Sequence, residues 1–528
     1  MHPRFPVLAF SALFLIYALG SVLDVMEVDA AQYATMAQTL ARGGDPLQLH
    51  FRGQDYLDKP PLLFWTSALS FKLFGIHNWS YKLPSILFAL LGLWSTFRLA
   101  KLYHGRETGV NAALMLGSSL AMVLMTNDVR CDTMLMGCVI TAIWCGAEYI
   151  EHRRWSWLLG TSLAIGAGML TKGPMGLMAP MLALGGHVLL KRKWSALRDP
   201  RLLLAPVLIG LLLLPMCMGL YEQFGAHGLR FFFWEQSFGR LTGENVWKDD
   251  STPLFFSHEL LWQLLPWTLF VLGGLFLDLG LLFSTRRTEA KEWMALSGTV
   301  LVFIALSLSH FKLPHYLYVI HPLFCVQAAK AVPRMSSKAW GGAQLAFVAL
   351  VFLCGSALML WSFASVRWSV VTMILCLALV IHAWRSTGVN RIIGTSFWAM
   401  CGSALLLNLH FYPALLPYQA NAQAGKWVRV HKVPADKFIA VGVGGTALDH
   451  YSGRSVRYAG SAWEVRDQIV SGTAVYTDST GRADLVQLGH IPIDELHFAD
   501  FKVQLLSLAF LDPNRRDGQI RSHYLLVF

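Results

Sequence analysis

Long apolar runs separated by short basic segments dominate this sequence and limit what it can fold into. About thirteen stretches of roughly 15–25 predominantly apolar residues precede residue 410. Of all residues, 55% are hydrophobic and only 14% are charged, whereas soluble proteins carry about 25% charged residues. Because a helix of about 20 apolar residues crosses a bilayer, the sequence predicts a polytopic α-helical membrane protein.

The thirteen predicted spans form a single transmembrane domain over residues 1–409. The first run, residues 6–22, has the length of a signal peptide but lacks a small-residue cleavage site, so we expect a retained anchor. The predicted limits are 6–24, 82–100, 108–126, 132–150, 157–171, 174–190, 202–220, 259–283, 294–309, 316–331, 341–362, 369–384 and 392–409.

The basic residues predict how these spans are oriented. Lysine and arginine are concentrated in alternate loops, which the positive-inside rule places in the cytoplasm. The net charge of +11 therefore reflects topology, and nucleic-acid binding is the weaker interpretation. With the N-terminus inside and an odd number of spans, the C-terminal part is expected outside, in a bacterial inner membrane.

Residues 410–528 contain short apolar runs between polar stretches, unlike the rest of the chain. They are expected to form a small extracytoplasmic α/β domain. The segments KFIAVGVGG, TAVYTDST and SHYLLVF have the composition of short strands. The GVGG cluster is a weak dinucleotide signal, and a turn at the end of a strand is the favoured interpretation. No cysteine follows Cys401, so no disulfide framework is expected there.

Two long external loops are predicted, residues 25–81 and 221–258, and long loops in compact proteins usually carry function. Within the first, Tyr33, Met36 and Leu40 fall on one helical face. This pattern predicts an amphipathic helix along the outer membrane surface.

Charged residues recur where the predicted topology places the outer ends of the spans. Each one alone is equally well explained as an interfacial residue, since charge is costly in the bilayer centre. Together, however, cations beside carboxylates indicate an outward-facing cavity for an anionic lipid headgroup, with a carboxylate available as a general base. The residues are Glu27, Asp29, Asp58, Lys59, Asp128, Arg130, Asp132, Lys172, Glu235, Arg240 and Lys312.

Local sequence leaves alternatives open for three of these residues. Asp29 begins the predicted helix, where a carboxylate can cap unpaired N–H groups instead of acting in catalysis. Pro60 and Pro61 either hold Asp58 and Lys59 in an extended segment or simply begin the next helix. Lys172, in the turn LTKGP, is otherwise a snorkelling anchor.

Six motifs, spread in order over residues 1–322, resemble those of the membrane glycosyltransferases that use polyprenyl-phosphate sugars. This superfamily includes the protein O-mannosyltransferases and the lipid A aminoarabinose transferases, and its fold is termed GT-C. The resemblance implies inverting transfer of a sugar from undecaprenyl phosphate. The motifs are DAAQY, YLDKPPLLFW, NDVRCDT, LTKGP, FFFWEQSFGR and SHFKLPHY.

The resemblance also implies roles for individual residues. Asp29 corresponds to the first-loop acid, a catalytic base or organiser, and Asp132 to an acidic residue after the third span. Lys59 corresponds to a lysine that contacts the lipid phosphate. The remaining positions expected to bind substrate are Tyr33, Tyr56, Asp58, Lys172, Arg240, Lys312 and Tyr316.

The chain departs from the family pattern in places. Gln32 stands where arginine is frequent, and Asp58 replaces a glutamate. Where some members have metal-binding histidines, this chain reads Glu235-Gln236-Ser237. Asp58 and Glu235 are accordingly the candidates for holding a divalent metal ion, and no other cofactor is expected.

The expected partners are a polyprenyl-phosphate sugar donor and an extracytoplasmic acceptor, with lipid A or another envelope glycolipid favoured. Protein O-glycosylation within the same superfamily is the alternative acceptor chemistry. A flippase is less favoured, because transporters place ionisable groups near the midplane and show repeated halves. The protein is expected to be monomeric.

Overall fold

A computed structural model describes residues 4–236, 239, 251–364 and 367–528. Helices account for nearly all of the chain before residue 420. Their bounds are Arg4–Ser21, Asp29–Ala41, Leu62–Phe74, Asn78–His104, Arg106–Gly117, Leu120–Asn127, Cys131–His152, Trp155–Lys172, Met175–Lys191, Leu204–Phe224, Ala226–Arg230, Phe255–Gln263, Thr268–Leu282, Met294–Ser307, His321–Met335, Lys338–Ser362, Arg367–Trp384, Gly388–Leu406 and Tyr412–Leu415.

Among the described residues, five helical segments are long and apolar enough to cross a membrane, or six if one bent pair counts as a single span. The segment Pro200–Phe224 is the most apolar of them and only 17% buried within the protein. Its large exposed side chains, such as Leu211 and Leu214, suit a lipid environment rather than water. The fold is thus that of a helical membrane protein, and the number of spans stays a prediction.

A helix lies within each predicted span, but several are interrupted. The third predicted span consists of Arg106–Gly117 and Leu120–Asn127, which meet at an angle of 55°. The eighth is divided at Pro266, because proline cannot donate the backbone hydrogen bond that a continuous helix needs. The tenth begins as the 3₁₀ helix Pro314–Ile320 before becoming α-helical.

The helix predicted in the first external loop is present as Asp29–Ala41, and its position along the outer membrane surface stays a prediction. Thr39 is its exposed residue, and even the polar Gln38 is buried. Side chains of the helix pack against Leu63 and Phe64 on one side and Ala447 on the other. The helix is therefore enclosed by protein on most of its sides.

Strands are few and fall into two sheets. The first external loop contains the hairpin β1 (His50–Phe51) and β2 (Gln54–Asp55). The C-terminal sheet has the order β4-β3-β5-β7-β6, in which β4, β3 and β5 are parallel and β7 is antiparallel to both of its neighbours. These strands are β3 (Phe438–Val441), β4 (Arg457–Ala459), β5 (Ala474–Asp478), β6 (Asp494–Asp500) and β7 (Arg521–Val527).

Four α-helices accompany the C-terminal sheet: Ala420–Val430, Thr446–Ser452, Ser479–Gln487 and Leu508–Leu511. The three strands predicted from sequence are β3, β5 and β7, so the α/β character of this unit is confirmed. Gly442, directly after β3, has φ +68°, a left-handed conformation that glycine adopts without strain. The GVGG cluster is therefore a turn at the end of a strand.

The C-terminal unit is attached to the first external loop by a dense set of polar contacts. The Lys426 ammonium lies 2.5 Å from Asp24, and the Tyr451 hydroxyl accepts a hydrogen bond of 2.7 Å from the Val25 amide. Arg52 pairs with the buried Asp449 at 2.6 Å. This unit therefore contacts the loop that contains five of the eleven predicted site residues.

Candidate functional site

Asp29 is held by an arginine that also binds a second carboxylate. The Arg130 guanidinium donates to Asp29 at 3.0 Å and to Asp128 at 2.8 Å. Because these carboxylates surround it, the pKa of Arg130 is raised further above its ordinary value. The helix beginning at Asp29 has no side-chain cap at its N-cap residue Val28. The Asp29 carboxylate is thus oriented by an ion pair, and its side chain remains 42% exposed.

Two tyrosines predicted to bind substrate lie on the two sides of one phenylalanine. Tyr33 and Tyr56 both pack edge-on against Phe64, with ring centroids 5.6 and 6.0 Å away. Burial raises the pKa of each hydroxyl well above its ordinary value, so both stay protonated at neutral pH. They can therefore donate hydrogen bonds.

Asp58 and Lys59 form an ion pair of 2.7 Å immediately before the double proline. Pro61 is the N-cap of helix Leu62–Phe74, so the two prolines also begin a helix. The Gln236 amide, from the second external loop, donates to the Asp58 carbonyl. The lysine is therefore fixed at a helix start where both long loops meet.

A small cavity of about 20 Å³ lies beside Lys59. Its other walls are mainly apolar and come from the first external loop, from helix Leu204–Phe224 and from Phe232 of the second external loop. They include Leu47, Met216, Leu220 and Phe232. A cation at the side of an apolar cavity suits a ligand with an anionic head and a hydrocarbon chain.

Asp132 and Lys172 form a second, more deeply buried pair. Their charged atoms are 2.5 Å apart, and the side chains are 5% and 14% exposed. The Lys172 ammonium also lies 3.8 Å from the centre of the Tyr316 ring, a cation–π contact. Asp132 further approaches His315, with 3.7 Å between the carboxylate and the imidazole. Lys172 is thus a paired residue at the end of its helix and not a simple interfacial anchor.

The buried clusters belong to one electrostatic environment. The charges of Asp132, Lys172 and Lys59 all act on the His315 imidazole. Burial lowers the pKa of His315 to about 3, so the ring is neutral at physiological pH. In a neutral imidazole one ring nitrogen donates a hydrogen bond and the other accepts one. His315 can therefore do both without adding a positive charge.

The remaining predicted residues lie in or next to the second external loop. The Lys312 ammonium donates to the Ser251 carbonyl at 3.2 Å and is buried. Glu235 pairs with Arg230 at 3.1 Å. Arg240 lies outside the described residues.

The predicted metal site has few of the ligands that such a site needs. Asp58 is engaged by Lys59, and Glu235 by Arg230. Within the described part of the chain, no group of three or more histidine, cysteine, aspartate or glutamate side chains is placed to hold a metal ion. The proposed metal site at Asp58 and Glu235 stays a prediction.

Comparison with known proteins shows which sequences this chain resembles. Residues 58–218 match the sequence profile of the family described as dolichyl-phosphate-mannose-protein mannosyltransferase. Over 390 residues the chain is 29% identical to the undecaprenyl phosphate-alpha-4-amino-4-deoxy-L-arabinose arabinosyl transferase of Pseudomonas aeruginosa strain LESB58, covering 69% of this chain and 66% of the relative. The corresponding transferase of Edwardsiella ictaluri is 27% identical over 320 residues, 59% of this chain and 56% of the relative. These matches span up to about two thirds of the relatives' length.

The fold agrees over nearly the whole chain with a solved structure. The crystal structure of ArnT from Cupriavidus metallidurans bound to undecaprenyl phosphate superposes with a TM-score of 0.78, covering 99% of this chain and 98% of ArnT at 18% identity. Its apo structure gives a TM-score of 0.73 over 91% and 94% of the two chains, at 19% identity. The fold of this chain is therefore the one seen in these ArnT structures.

Sequence reasoning missed two residues of the candidate site. Arg130 appeared only as one of several interfacial charges, although it joins Asp29 to Asp128. His315 occupies the variable position of the KLPHY motif, and nothing in the motif pointed to its contact with Asp132. The sequence signal that could have identified Arg130 and His315 was their position inside the motifs NDVRCDT and SHFKLPHY.

Proposed function

We propose that this protein transfers a sugar from undecaprenyl phosphate to an acceptor outside the cytoplasm, with inversion at the sugar carbon. The acceptor we favour is lipid A or a similar envelope glycolipid, because the relatives named above are arabinosyl transferases and the motifs resemble those of the lipid A aminoarabinose transferases. The observation that carries the proposal is the gathering of Asp29, Lys59 and Asp132, each paired with an opposite charge, around Cys131 and Tyr56. Such paired charges suit sugar transfer, in which negative charge develops on the phosphate oxygen of the donor as the acceptor oxygen attacks.

The reaction exchanges one bond at the sugar for another. An oxygen of the acceptor attacks the anomeric carbon, and the bond from that carbon to the phosphate oxygen of the donor breaks. If the acceptor is a hydroxyl, its proton passes to the Asp29 carboxylate, which is partly exposed and oriented by Arg130. If the acceptor is an anionic phosphate, no proton needs to be removed and Asp29 orients the attacking group.

Lys59 is the residue that we assign to the leaving phosphate. Its ammonium is 18% exposed and lies at the side of the apolar cavity formed by both external loops. As the bond to the sugar breaks, negative charge on the phosphate increases, and a fixed cation stabilises that charge. Arg240 is proposed to assist from the second loop, and Lys312 and Tyr316 to shape the same region.

Lys172 contributes to the site in a different way from Lys59. Its charge is already opposed by Asp132, and its ammonium rests on the Tyr316 ring. We therefore infer that Lys172, Asp132 and Tyr316 hold the wall of the site in place. Of these three residues, Lys172 carries the charge that suits contact with a phosphate. Tyr33 and Tyr56 are proposed as hydrogen-bond donors to the substrate.

The proposed topology has thirteen spans, with the transmembrane domain at 1–409 and the soluble domain at 410–528. The N-terminus is assigned to the cytoplasm, and the site and C-terminal domain to the periplasmic side of a bacterial inner membrane. Support comes from the basic residues, which fall in alternate loops.

Reconstitution of the purified protein tests the proposed function. Undecaprenyl-phosphate-linked aminoarabinose and lipid A are incubated with the protein in lipid nanodiscs, and the lipids are analysed by mass spectrometry. We expect lipid A to gain the mass of one sugar while undecaprenyl phosphate is released. Parallel analysis of envelope lipids and glycoproteins from cells with and without the gene separates a glycolipid acceptor from a protein acceptor. Movement of the intact donor across vesicles without transfer to any acceptor would contradict the proposal.

A further inference from the structure

A second cleft lies between the C-terminal unit and the first external loop. It has a volume of about 720 Å³ and opens to solvent, which is within the range of roughly 300–1,000 Å³ for small-molecule pockets. One wall is formed by Glu27 and Val28, the residues directly before Asp29. The other walls are the segments that follow β3 and β5 and the adjoining ends of β6 and β7.

The position of this cleft in the sheet is one where α/β units commonly bind ligands. Strands β3 and β5 are adjacent and parallel, but the helices that follow them pack on opposite faces of the sheet. Leu448, from the first helix, packs with Phe438 and Tyr476, whereas Leu485, from the second, packs with Ile439 and Val475. The two connecting segments therefore diverge and leave a crevice at the carboxyl ends of the strands.

The lining of the cleft mixes charges of both signs in equal number. Its carboxylates are Glu27, Asp478 and Asp500, and its cations are Arg52, Lys502 and Arg521. A phosphate site would be expected to have an excess of cations. The hydroxyl groups of a sugar each donate and accept, so they are matched by a surface that offers both kinds of partner.

Two buried amide side chains at the cleft have unused hydrogen-bonding capacity. Gln419 and Asn421 both line the cleft and are 2% and 5% exposed. Gln419 accepts from the Glu27 amide, and Asn421 donates to the Glu27 carboxylate at 3.0 Å. Among the described residues, the Gln419 Nε2 and Asn421 Oδ1 atoms have no partner. Buried polar atoms without partners are uncommon in folded proteins, and here both belong to side chains in the wall of the cleft.

The cleft is connected directly to the residue assigned to the reaction. The Glu27 carboxylate accepts from the Ala447 amide at 2.9 Å, and the Val28 carbonyl accepts from the Thr446 hydroxyl at 2.8 Å. A side chain at Gly445 would collide with Asn421 and Glu27, so glycine permits this close approach. Asp29 is the next residue after Val28, so a group bound in the cleft lies beside the catalytic loop.

From these observations we propose that the cleft binds the saccharide part of the acceptor, a polyhydroxylated group of at least two sugar units. This inference rests on the proposed function, since it assigns the acceptor to one side of Asp29 and the lipid-linked donor to the other. The sugar of the donor has the same chemistry, so the experiment must distinguish the two sources.

Filling the cleft with a bulky side chain tests this assignment. Thr480 is exposed, lines the cleft and lies at the start of helix Ser479–Gln487, so Thr480→Trp obstructs the cleft without disturbing the core. Gln487→Trp, at the exposed other end of the same helix, is the matched control. In the transfer assay we expect Thr480→Trp to raise the KM for lipid A at least tenfold, with the KM for the donor unchanged. An acceptor KM within twofold of wild type, or a rise in the donor KM alone, would overturn the proposal.

A binding measurement keeps this proposal separate from the proposed function. The β-1,6-linked glucosamine disaccharide is added to the full-length protein in nanodiscs, and saturation-transfer NMR detects its binding. We expect a signal with wild type and with Gln487→Trp, and its loss with Thr480→Trp. If transfer is absent but this pattern is observed, the proposed function fails and the cleft assignment stands. Equal signals from all three proteins, or none from wild type, would refute the cleft assignment.

Discussion

At the scale of single residues, the site is organised by ion pairs in which one partner remains partly accessible. Asp29 and Asp58 are each 42% exposed, while their partners Arg130 and Lys59 are more enclosed. Asp132 and Lys172 are enclosed together. The first two pairs can therefore exchange a protein partner for a substrate, whereas the third serves to hold its surroundings.

Replacement of Asp29 by asparagine tests its role in the reaction. The change removes the carboxylate but keeps the shape, and Arg130 retains Asp128 as a partner, so folding should be preserved. If Asp29 removes a proton from a hydroxyl acceptor, kcat should fall about 10²–10⁴-fold. The measurement is the initial rate of sugar transfer by the purified protein.

Asp45→Asn is the matched control for this substitution. Asp45 is exposed in the same external loop and only accepts a hydrogen bond from the Leu47 amide, which asparagine can also accept. Its rate should equal that of wild type. An Asp29→Asn rate within twofold of wild type would exclude Asp29 as the base.

At the scale of elements, the pair Asp132–Lys172 joins the start of helix Cys131–His152 to the end of helix Trp155–Lys172. Removal of only one charge leaves the other buried without its partner, which costs about 3–5 kcal/mol. Lys172→Met should therefore lower thermal stability strongly, and Asp132→Asn in the same protein should restore more than half of the loss. The four proteins are wild type, the two single variants and the double variant. Their unfolding temperatures in detergent give the coupling energy between the two residues.

An exposed ion pair provides the control for this double-mutant cycle. Arg286 and Glu289 are 77% and 66% exposed and 4.0 Å apart, and surface pairs contribute about 0–1 kcal/mol. Arg286→Met should leave the unfolding temperature nearly unchanged. Additive effects of Asp132→Asn and Lys172→Met would show that the buried pair is not a coupled unit.

How far the sequence predicts these elements depends on the strength of each local pattern. Long apolar runs identified the helices, and the buried strands β3, β5 and β7 were recognised by their apolar composition. Strand β6 was missed because it is polar and half exposed, and β4 because it has only three residues. The contacts of Arg130 and His315 depend on how distant helix ends pack, which local patterns do not specify. The enclosure of helix Asp29–Ala41 was missed for the same reason.

At the scale of the whole molecule, the C-terminal unit is held on the first external loop by contacts that include a neutral histidine. The Gln38 side-chain nitrogen approaches His450 Nδ1 at 2.5 Å and also donates to the His450 carbonyl at 3.1 Å. The imidazole nitrogen must therefore accept. Burial lowers the pKa of His450 to about 3, from an ordinary value of 6.5.

This depressed pKa predicts that the attachment weakens in acid. The folded state disfavours the protonated ring, so its stability is complete above about pH 6.5 and falls as the pH drops toward 3. Between pH 7 and pH 5 the loss should be about 2 kcal/mol. Amide hydrogen exchange in helix Asp29–Ala41, corrected for intrinsic rates, should then report roughly thirtyfold less protection. His450→Gln cannot be protonated and should reduce this dependence; an identical pH response in both proteins would contradict the assignment.

The proposed topology connects the first helix of the chain to the C-terminal unit. Helix Arg4–Ser21 is roughly 27 Å long at about 1.5 Å per residue, close to the thickness of the hydrocarbon core. Its far end leads to Asp24, which pairs with Lys426 of the C-terminal unit. The proposed topology, with the basic residues in the cytoplasm, therefore predicts that the C-terminal unit and the site are outside. Alkaline phosphatase fused after Phe528 should therefore be active, and green fluorescent protein at the same position should stay dark. A fluorescent C-terminal fusion with an inactive phosphatase would reverse the orientation and remove access of the site to any acceptor outside the cell membrane.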